Sequence, residues 1–339
     1  MRIALDAMGT DRHPEVEVQG AVQALRELPG DFQIVLVGDR VVVEAELARS
    51  GPVPEGRLEV VHASQSIAPG EAPATAVRRK PDSSIVVGLT LQREGKVDAF
   101  VSAGSTGAVM AASLFILRPL PGVDRPAVAT LLPTAKEPVV MLDAGANVDS
   151  KPHHLLQFAH LGSIYATDVL QRENPRVGLL NIGEEPEKGN ELAVETHRLL
   201  REDPGLNFTG NVEGRDIIRG VCDVLVTDGF VGNVLLKFYE SVAQFFYRLL
   251  EDNGSPPGLG DPERSRLWEA LDYTSYGGAP LLGVNGISII CHGGSPPRAV
   301  RNAVRVAIQA VETRMVGHIA ADLGAQGANR GPRRLAEGA

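Results

Sequence analysis

Residues 97–108 read Val-Asp-Ala-Phe-Val-Ser-Ala-Gly-Ser-Thr-Gly-Ala, and a mostly apolar run continues from there to Leu117. The apolar residues ahead of Ser102 are typical of a buried β-strand, and the length of the later run indicates an α-helix. Between the two, small and hydroxylated residues allow a tight strand-to-helix turn. This strand–loop–helix unit predicts an α/β fold.

The same unit recurs along the chain. Apolar strands are predicted at 2–6, 33–37, 58–62, 97–102, 127–132, 139–143, 177–182, 223–227 and 287–291, and amphipathic helices at 14–28, 153–170, 191–200 and 299–316. Because alternating strands and helices make crossover connections, we expect an α/β/α sandwich with a largely parallel sheet. No Ser/Gly-rich linker divides the chain, so residues 1–323 are predicted to be one α/β domain and residues 324–339 a disordered tail.

Composition narrows the class of protein. The 339 residues carry 33 Lys and Arg against 42 Asp and Glu, a net charge of −9, which argues against a nucleic-acid-coating protein. The two cysteines, Cys222 and Cys291, lack metal-ligand spacing and indicate a reducing compartment. The start of the chain does not resemble a signal peptide, and the longest apolar run is too short to span a bilayer. We therefore expect a cytoplasmic protein.

Aromatic residues are concentrated near the carboxyl-terminal third. Nine of the 15 lie between Phe230 and Tyr276, and apolar side chains from Val234 to Leu249 have helical spacing. A Gly- and Pro-rich cluster at 254–260 then interrupts the pattern. This predicts a helical hairpin at about 235–273 that protrudes from the sheet.

Candidate functional residues follow the predicted strands, where open α/β sheets place their ligands. They are Ser102 to Gly107, Asp143 and Asn147, Lys188, Asp228 and Asn233, and His292. Gly-rich loops and helix N-termini suit anions, but turns and helix caps use the same residues, so each loop alone leaves both interpretations open.

Histidines and basic residues give weaker signals. His153 and His154 are adjacent and are predicted to face different sides of their helix, which argues against a shared metal. Arg78, Arg79 and Lys80 form a basic cluster that suits phosphate or an acidic partner, or else a solvated helix face. Signatures of P-loop enzymes, simple dinucleotide-binding folds, α/β-hydrolases and zincins are missing from the sequence.

Taken in order, the loops resemble the bacterial phosphate acyltransferases of phospholipid synthesis, the PlsX family. The matching segments lie at 6–11, 102–108, 125–127, 143–149, 181–189, 210–216, 228–237 and 277–293. Thr10 and Ser105 depart from the family pattern, which usually has Gly and Asn at these two positions.

The resemblance implies that long-chain acyl carrier protein and inorganic phosphate give acyl phosphate and free carrier protein. It also implies an isocitrate/isopropylmalate-dehydrogenase-like fold, a homodimer, and delivery of acyl phosphate to a membrane-bound glycerol-3-phosphate acyltransferase. Phosphate is itself a nucleophile, so neither a cofactor nor a metal is expected.

Roles for individual residues follow from the same resemblance. Asp6 and the loop residues Ser102, Gly104, Ser105, Thr106 and Gly107 are predicted to bind substrate, with Lys188 at the phosphate. Asn233 or His292 is expected to polarise the carbonyl, while Asp143, Asn147 and Asp228 fix the geometry. Arg78 and Lys80 are expected to recruit the acidic carrier protein.

Two other functions remain open at this level. One is a phosphate acetyltransferase-like enzyme that uses a short acyl-CoA, and the other is a regulator that binds acyl carrier protein without turnover. The aromatic hairpin is expected to shelter the acyl chain, to pair two subunits, or to contact the membrane surface through Leu249, Leu250 and Leu259.

Overall fold

Strands and helices alternate along nearly the whole chain in the computed structural model, which describes residues 1–253 and 277–329. The strands are β1 (Arg2–Asp6), β2 (Gln33–Gly38), β3 (Leu58–His62), β4 (Ala99–Ser102), β5 (Ala127–Val128), β6 (Thr130–Leu132), β7 (Val139–Leu142), β8 (Arg176–Asn181), β9 (Asn207–Glu213), β10 (Val224–Val226), β11 (Ala279–Leu282) and β12 (Ser288–Ile290). The helices are α1 (Glu15–Glu27), α2 (Arg40–Arg49), α3 (Pro73–Arg79), α4 (Ser84–Arg93), α5 (Thr106–Ile116), α6 (Pro152–Asp168), α7 (Glu191–Glu202), α8 (Gly214–Ile217), α9 (Gly229–Asn253), α10 (Pro297–Glu312) and α11 (Met315–Asn329).

The strands form two sheets rather than one. The first has the order β3-β2-β1-β4-β12-β11-β5, and the second has the order β6-β7-β10-β8-β9. Pairing is parallel except where β11 meets β12 and β5 and where β6 meets β7. The single strand predicted at 127–132 is divided at Ala129, so that β5 joins the first sheet and β6 the second. A mixed, largely parallel α/β fold is thus confirmed.

Helices cover both faces of the first sheet, as an α/β/α sandwich requires. Ile3 and Leu5 of β1 belong to the same buried cluster as residues of α1 and α10, whereas Ala4 packs in the cluster that contains α4 and α5. Since successive side chains of a strand point to opposite faces, this alternation explains why β1 is apolar throughout. Gly20 lets α1 and α10 approach closely, because a Cβ there would lie 2.6 Å from Val300 Cβ.

Several element boundaries differ from the sequence-based predictions. Strands β9 and β11 were not predicted, and the helix predicted at 299–316 is two helices separated by a turn at Arg314, whose φ is 55°. Helix α11 continues to Asn329, so residues 324–329 of the predicted tail are helical. The first helix of the predicted hairpin corresponds to α9, and residues 254–276 and 330–339 lie outside the described residues.

No helix within 1–253 or 277–329 has the length and apolar character needed to cross a bilayer.

Candidate active site

A buried acid–hydroxyl pair joins the loops that follow β1 and β4. Asp6 is 1% exposed, and its Oδ2 accepts a 2.6 Å hydrogen bond from the hydroxyl of Ser102. Its Oδ1 accepts from the Met8 N–H at 3.0 Å, while Ser102 Oγ accepts from the Gly104 N–H at 3.0 Å. Burial raises the pKa of the Asp6 carboxyl. Both predicted substrate-binding side chains therefore hold the loops together from beneath the surface.

A second buried acid, Glu17 of α1, was not predicted from the sequence. Its Oε1 accepts the N–H groups of Gly9 at 3.1 Å and Thr10 at 2.6 Å, and its Oε2 accepts the Thr10 hydroxyl at 3.0 Å. Glu17 is 0% exposed, and burial raises its pKa to about 7. Thr10, one of the two departures from the family pattern, thus contributes a hydroxyl to the support of its loop. In sequence, Glu17 resembles any surface acid of an amphipathic helix.

The loop after β12 is tied to the same cluster. The Asp11 N–H donates to the carbonyl of Gly293 at 2.9 Å. His292 is exposed, and its Nδ1 accepts the N–H of Gly294 at 3.1 Å. Since Nδ1 is an acceptor, the neutral ring carries its proton on Nε2 and offers Nε2–H as a donor.

Asp143, at the end of β7, accepts five hydrogen bonds. Its Oδ1 accepts the N–H groups of Val128 at 3.1 Å, Gly145 at 3.2 Å and Ala146 at 3.0 Å. Its Oδ2 accepts the backbone N–H of Asn147 at 2.6 Å and that residue's side-chain amide at 2.9 Å. Burial raises the Asp143 pKa, and these donors oppose the rise. The predicted geometric role of Asp143 and Asn147 agrees with these contacts.

Helix α9 begins directly against the Asp143 loop. A Cβ at Gly232 would overlap the carbonyl oxygen of Asp143, so only glycine fits there. Asp228 Oδ1 accepts the N–H groups of Phe230 at 2.9 Å and Val231 at 3.0 Å and thereby caps the helix. Helix capping accounts for this oxygen of Asp228, a residue that is expected from the sequence to fix the geometry of the site.

A cavity of about 310 Å³, here called the reaction cavity, opens between the loops of the two sheets. Three predicted residues meet in it, namely Thr106 at the start of α5, Asn233 of α9 and His292. Lys237, one turn beyond Asn233, also lines it and pairs with Glu240 at 2.8 Å. The cavity therefore combines a cation, an amide, an imidazole and a helix N-terminus.

The remaining predicted loop residues lie beside this cavity or away from it. Ser105 is the N-cap residue of α5, but its side chain makes no capping hydrogen bond, and Gly104 and Gly107 flank it half-buried. Lys188 is exposed ahead of α7 and does not belong to the lining of the reaction cavity. The structure thus brings Thr106, Asn233 and His292 together, and it leaves Lys188 on a separate loop.

The predicted basic cluster is divided by its contacts. Lys80 Nζ pairs with Glu71 at 2.7 Å and donates to the Ser66 carbonyl at 2.8 Å. The Arg78 guanidinium lies 5.1 Å above the ring of Phe115, a residue of α5 that is 46% exposed. Arg78 therefore presents charge beside an apolar side chain, whereas the charge of Lys80 is already partnered.

His153 and His154 do not diverge as the sequence suggested. They lie in the first turn of α6, their ring centroids are 4.3 Å apart, and each offers a ligand atom within 4.8 Å of the other and of Asp124. However, His154 Nδ1 accepts the Lys151 N–H at 3.1 Å, which leaves the proton on Nε2. A metal bound to Nε2 would require the proton to move to Nδ1, which could then no longer accept the Lys151 N–H. The contacts therefore disfavour ligation by His154.

A larger cavity of about 670 Å³, here called the apolar groove, lies on the other side of α9. It is bounded by α9 on one side and by β8 and α7 on the other, and Leu179, Leu192, Val231 and Leu235 are among its lining residues. Asp228 and Thr227, at the end of β10, reach its inner end.

Replacing Glu17 by Gln should make stability less dependent on pH. In the folded protein the Glu17 pKa is about 7 instead of 4.5, so the folded state binds more protons than the unfolded state between these values. The wild-type free energy of unfolding should accordingly fall, relative to that of Glu17→Gln, by about 2 kcal/mol from pH 5 to pH 8. Urea denaturation of both proteins at the two pH values measures this difference.

The matched control is Glu15→Gln, on the same helix but with a side chain that is 46% exposed. It should show no comparable change between the two pH values. A constant difference between wild type and Glu17→Gln would mean that the Glu17 carboxyl does not titrate in this range.

The chain is similar to known proteins over most of its length. Residues 1–317 match the family described as "Fatty acid synthesis protein". A phosphate acyltransferase of Heliobacterium modesticaldum is 52% identical over 326 residues, which is 94% of this chain and 96% of that protein. A phosphate acyltransferase of Desulforamulus reducens is 50% identical over 322 residues, 93% of this chain and 95% of that protein.

Solved structures show the same fold at low sequence identity. A phosphotransacetylase from Staphylococcus aureus has a TM-score of 0.59 at 19% identity and covers 92% of this chain and 94% of that one. A phosphotransacetylase from Streptococcus pyogenes has a TM-score of 0.57 at 18% identity, with the same coverage. The family match over residues 1–317 and the relatives at 50–52% identity show that the chain belongs to the phosphate acyltransferase family.

Proposed function

We propose that this chain transfers the long-chain acyl group of acyl carrier protein to inorganic phosphate, which gives acyl phosphate for phospholipid synthesis. The observation that carries the proposal is the reaction cavity, where Thr106, Asn233, Lys237 and His292 meet between the two sheets. Family membership over residues 1–317 supports the same reaction.

Phosphate binds at the start of α5 in this proposal. The side chain of Ser105 does not cap the helix, so the first-turn N–H groups are available to an anion, which the helix dipole also favours. Lys237, whose ammonium pairs with Glu240 at 2.8 Å in the same cavity lining, supplies a further charged donor to the anion. The sequence-based assignment of Lys188 to the same anion stays a prediction.

The reaction is a direct displacement at the thioester carbonyl. A phosphate oxygen forms a bond to the carbonyl carbon, the carbonyl becomes an oxyanion, and the carbon–sulfur bond then breaks. The carrier thiolate leaves and takes up a proton. The Nε2–H of His292 or the amide of Asn233 donates a hydrogen bond to the oxyanion, and the loops hold both donors in place.

The two cysteines are poorly suited to an acyl-enzyme route. Cys222 is 3% exposed and Cys291 is 5% exposed, and burial raises the pKa of each thiol to about 12. A thiol in this state is almost wholly protonated at neutral pH, and the thiolate is the nucleophilic form. The burial of both thiols therefore supports direct attack of phosphate on the thioester.

The carrier protein docks on the basic side of α3 in this proposal. Arg78 and Arg79 are exposed there, and α3 packs against α5, whose first residue lines the reaction cavity. An acidic partner bound at Arg78 would also contact the exposed ring of Phe115. With Lys80 held by Glu71, the two arginines supply most of the attraction.

Further partners follow from the family resemblance. We propose a cytoplasmic homodimer that meets the inner face of the membrane and passes acyl phosphate to a membrane-bound glycerol-3-phosphate acyltransferase. The side chains of Leu249, Leu250 and Leu259, the expected membrane anchors, lie outside the described part of the structure.

Trapping of the product tests the proposed function. The protein incubated with hexadecanoyl carrier protein and phosphate should form acyl phosphate, which hydroxylamine converts to a hydroxamate that mass spectrometry detects. A matched reaction without phosphate should give none. Turnover of acetyl-CoA alone would favour the acetyltransferase alternative, and binding of carrier protein without product would favour the regulator.

Lysine variants test the phosphate site. A charge-assisted hydrogen bond contributes roughly 1.5–3 kcal/mol, so Lys237→Ala is expected to raise the phosphate KM about 10- to 100-fold. The sequence-based assignment of Lys188 predicts a similar increase for Lys188→Ala, whereas its position outside the lining of the reaction cavity predicts none. Lys96→Ala is the control, because that lysine is 60% exposed, pairs with Glu94 and precedes β4, whereas Thr106 of the reaction cavity follows the carboxyl end of this strand. An unchanged phosphate KM in either test variant removes that lysine from the site.

A further inference from the structure

The apolar groove exposes hydrocarbon to an unusual degree. Ile182 is 80% exposed, Phe238 65% and Val234 56%, and all three belong to its lining. Deeper in the groove, the lining is completed by further apolar side chains, among them Leu155, Leu179, Leu180, Leu192 and Leu235. A contiguous apolar surface of this kind marks a binding site, and its volume of about 670 Å³ lies within the usual range for small-molecule ligands.

Three of the four polar side chains in the lining are engaged with their own loops. Asn181 Nδ2 donates to the Lys188 carbonyl at 2.9 Å, and Asn190 Oδ1 accepts the Ala193 N–H at 2.9 Å. Asp228 Oδ1 caps α9. The groove therefore offers contact to hydrocarbon and little polar recognition, which fits an unbranched acyl chain better than a nucleotide or a peptide.

Helix α9 lines both the groove and the reaction cavity. Asn233, Leu236 and Lys237 line the cavity, whereas Val234, Leu235 and Phe238 line the groove. Two environments thus lie along the same two turns of α9, one polar and one apolar. A substrate that reacts at a polar carbonyl and carries a long hydrocarbon tail requires both.

We infer that the apolar groove binds the hydrocarbon tail of the acyl group, an inference that rests on the proposed function and extends it to chain length. The groove then selects long chains, because each buried methylene contributes roughly fourfold to binding. Ala193 of α7 lies in the lining, so a large side chain at this position would occupy the space of the tail.

The ratio of kcat/KM for hexadecanoyl over butanoyl carrier protein tests the inference. In Ala193→Trp this ratio should fall at least tenfold below that of the wild type. Val194→Trp is the matched control, since Val194 is the next residue of the same helix, is 38% exposed and is not part of the lining. Its ratio should stay within twofold of the wild-type ratio. Equal ratios in all three proteins would overturn the inference.

Photolabelling of the wild-type protein makes the test independent of how the variants fold. Hexadecanoic acid with a diazirine at its terminal carbon should label peptides that contain Ala193 or residues 231–238, and unlabelled hexadecanoic acid should compete. Labels confined to other peptides contradict the inference. So does a monomeric Ala193→Trp protein beside a dimeric wild type in sedimentation, which would assign the groove to a second copy of the chain.

The outcomes separate this inference from the proposed function. Wild-type protein that makes no acyl phosphate from either thioester contradicts the function, while competitive labelling of the groove still supports a hydrocarbon site. Wild-type turnover with no groove labelling contradicts the inference alone.

Discussion

The carboxyl group of Asp143 is the contact on which the rest of the site depends. Its oxygens accept the N–H of Val128, which belongs to the first sheet, and N–H groups of the loop that follows β7 in the second sheet. The carboxyl group therefore joins the two sheets where the chain passes from one to the other. Gly232 lets the start of α9 pack against the backbone carbonyl of Asp143. The position of α9 in turn fixes the reaction cavity on one side and the apolar groove on the other.

Burial of acids has a second consequence for an anion site. Three buried carboxyl groups, those of Asp6, Glu17 and Asp143, accept hydrogen bonds from backbone N–H groups. These bonds hold the loops in place, so that no exposed cation is needed for this purpose. Burial also raises the pKa of each carboxyl, to about 7 for Glu17. Because the pKa of Glu17 is about 7, this carboxyl is only partly ionised near neutral pH, and a phosphate in the cavity meets less negative charge behind the Thr10 loop than a fully ionised Glu17 would present.

Sequence patterns predicted much of the fold and part of the site. Apolar runs and Gly-rich loops located most strands and placed Thr106, Asn233 and His292 where a cavity brings them together. Whether a polar side chain faces a ligand or its own loop is decided by tertiary contacts, so the buried support role of Ser102 and the importance of Glu17 had no local signal. Division of the strands between two sheets depends on a single residue between β5 and β6, which periodicity does not reveal.

Amide hydrogen exchange of an Asp143→Asn variant, followed by mass spectrometry, tests most directly whether this carboxyl unites the site. The amide NH₂ of Asn would face N–H donors, so one set of bonds to the loop or to Val128 is lost. Faster exchange is expected together in residues 127–132, in residues 144–149 and in the first turn of α9, with exchange in β1 and β2 unchanged. Faster exchange confined to residues 144–149 would contradict the account, because Asp143 would then organise only its own loop.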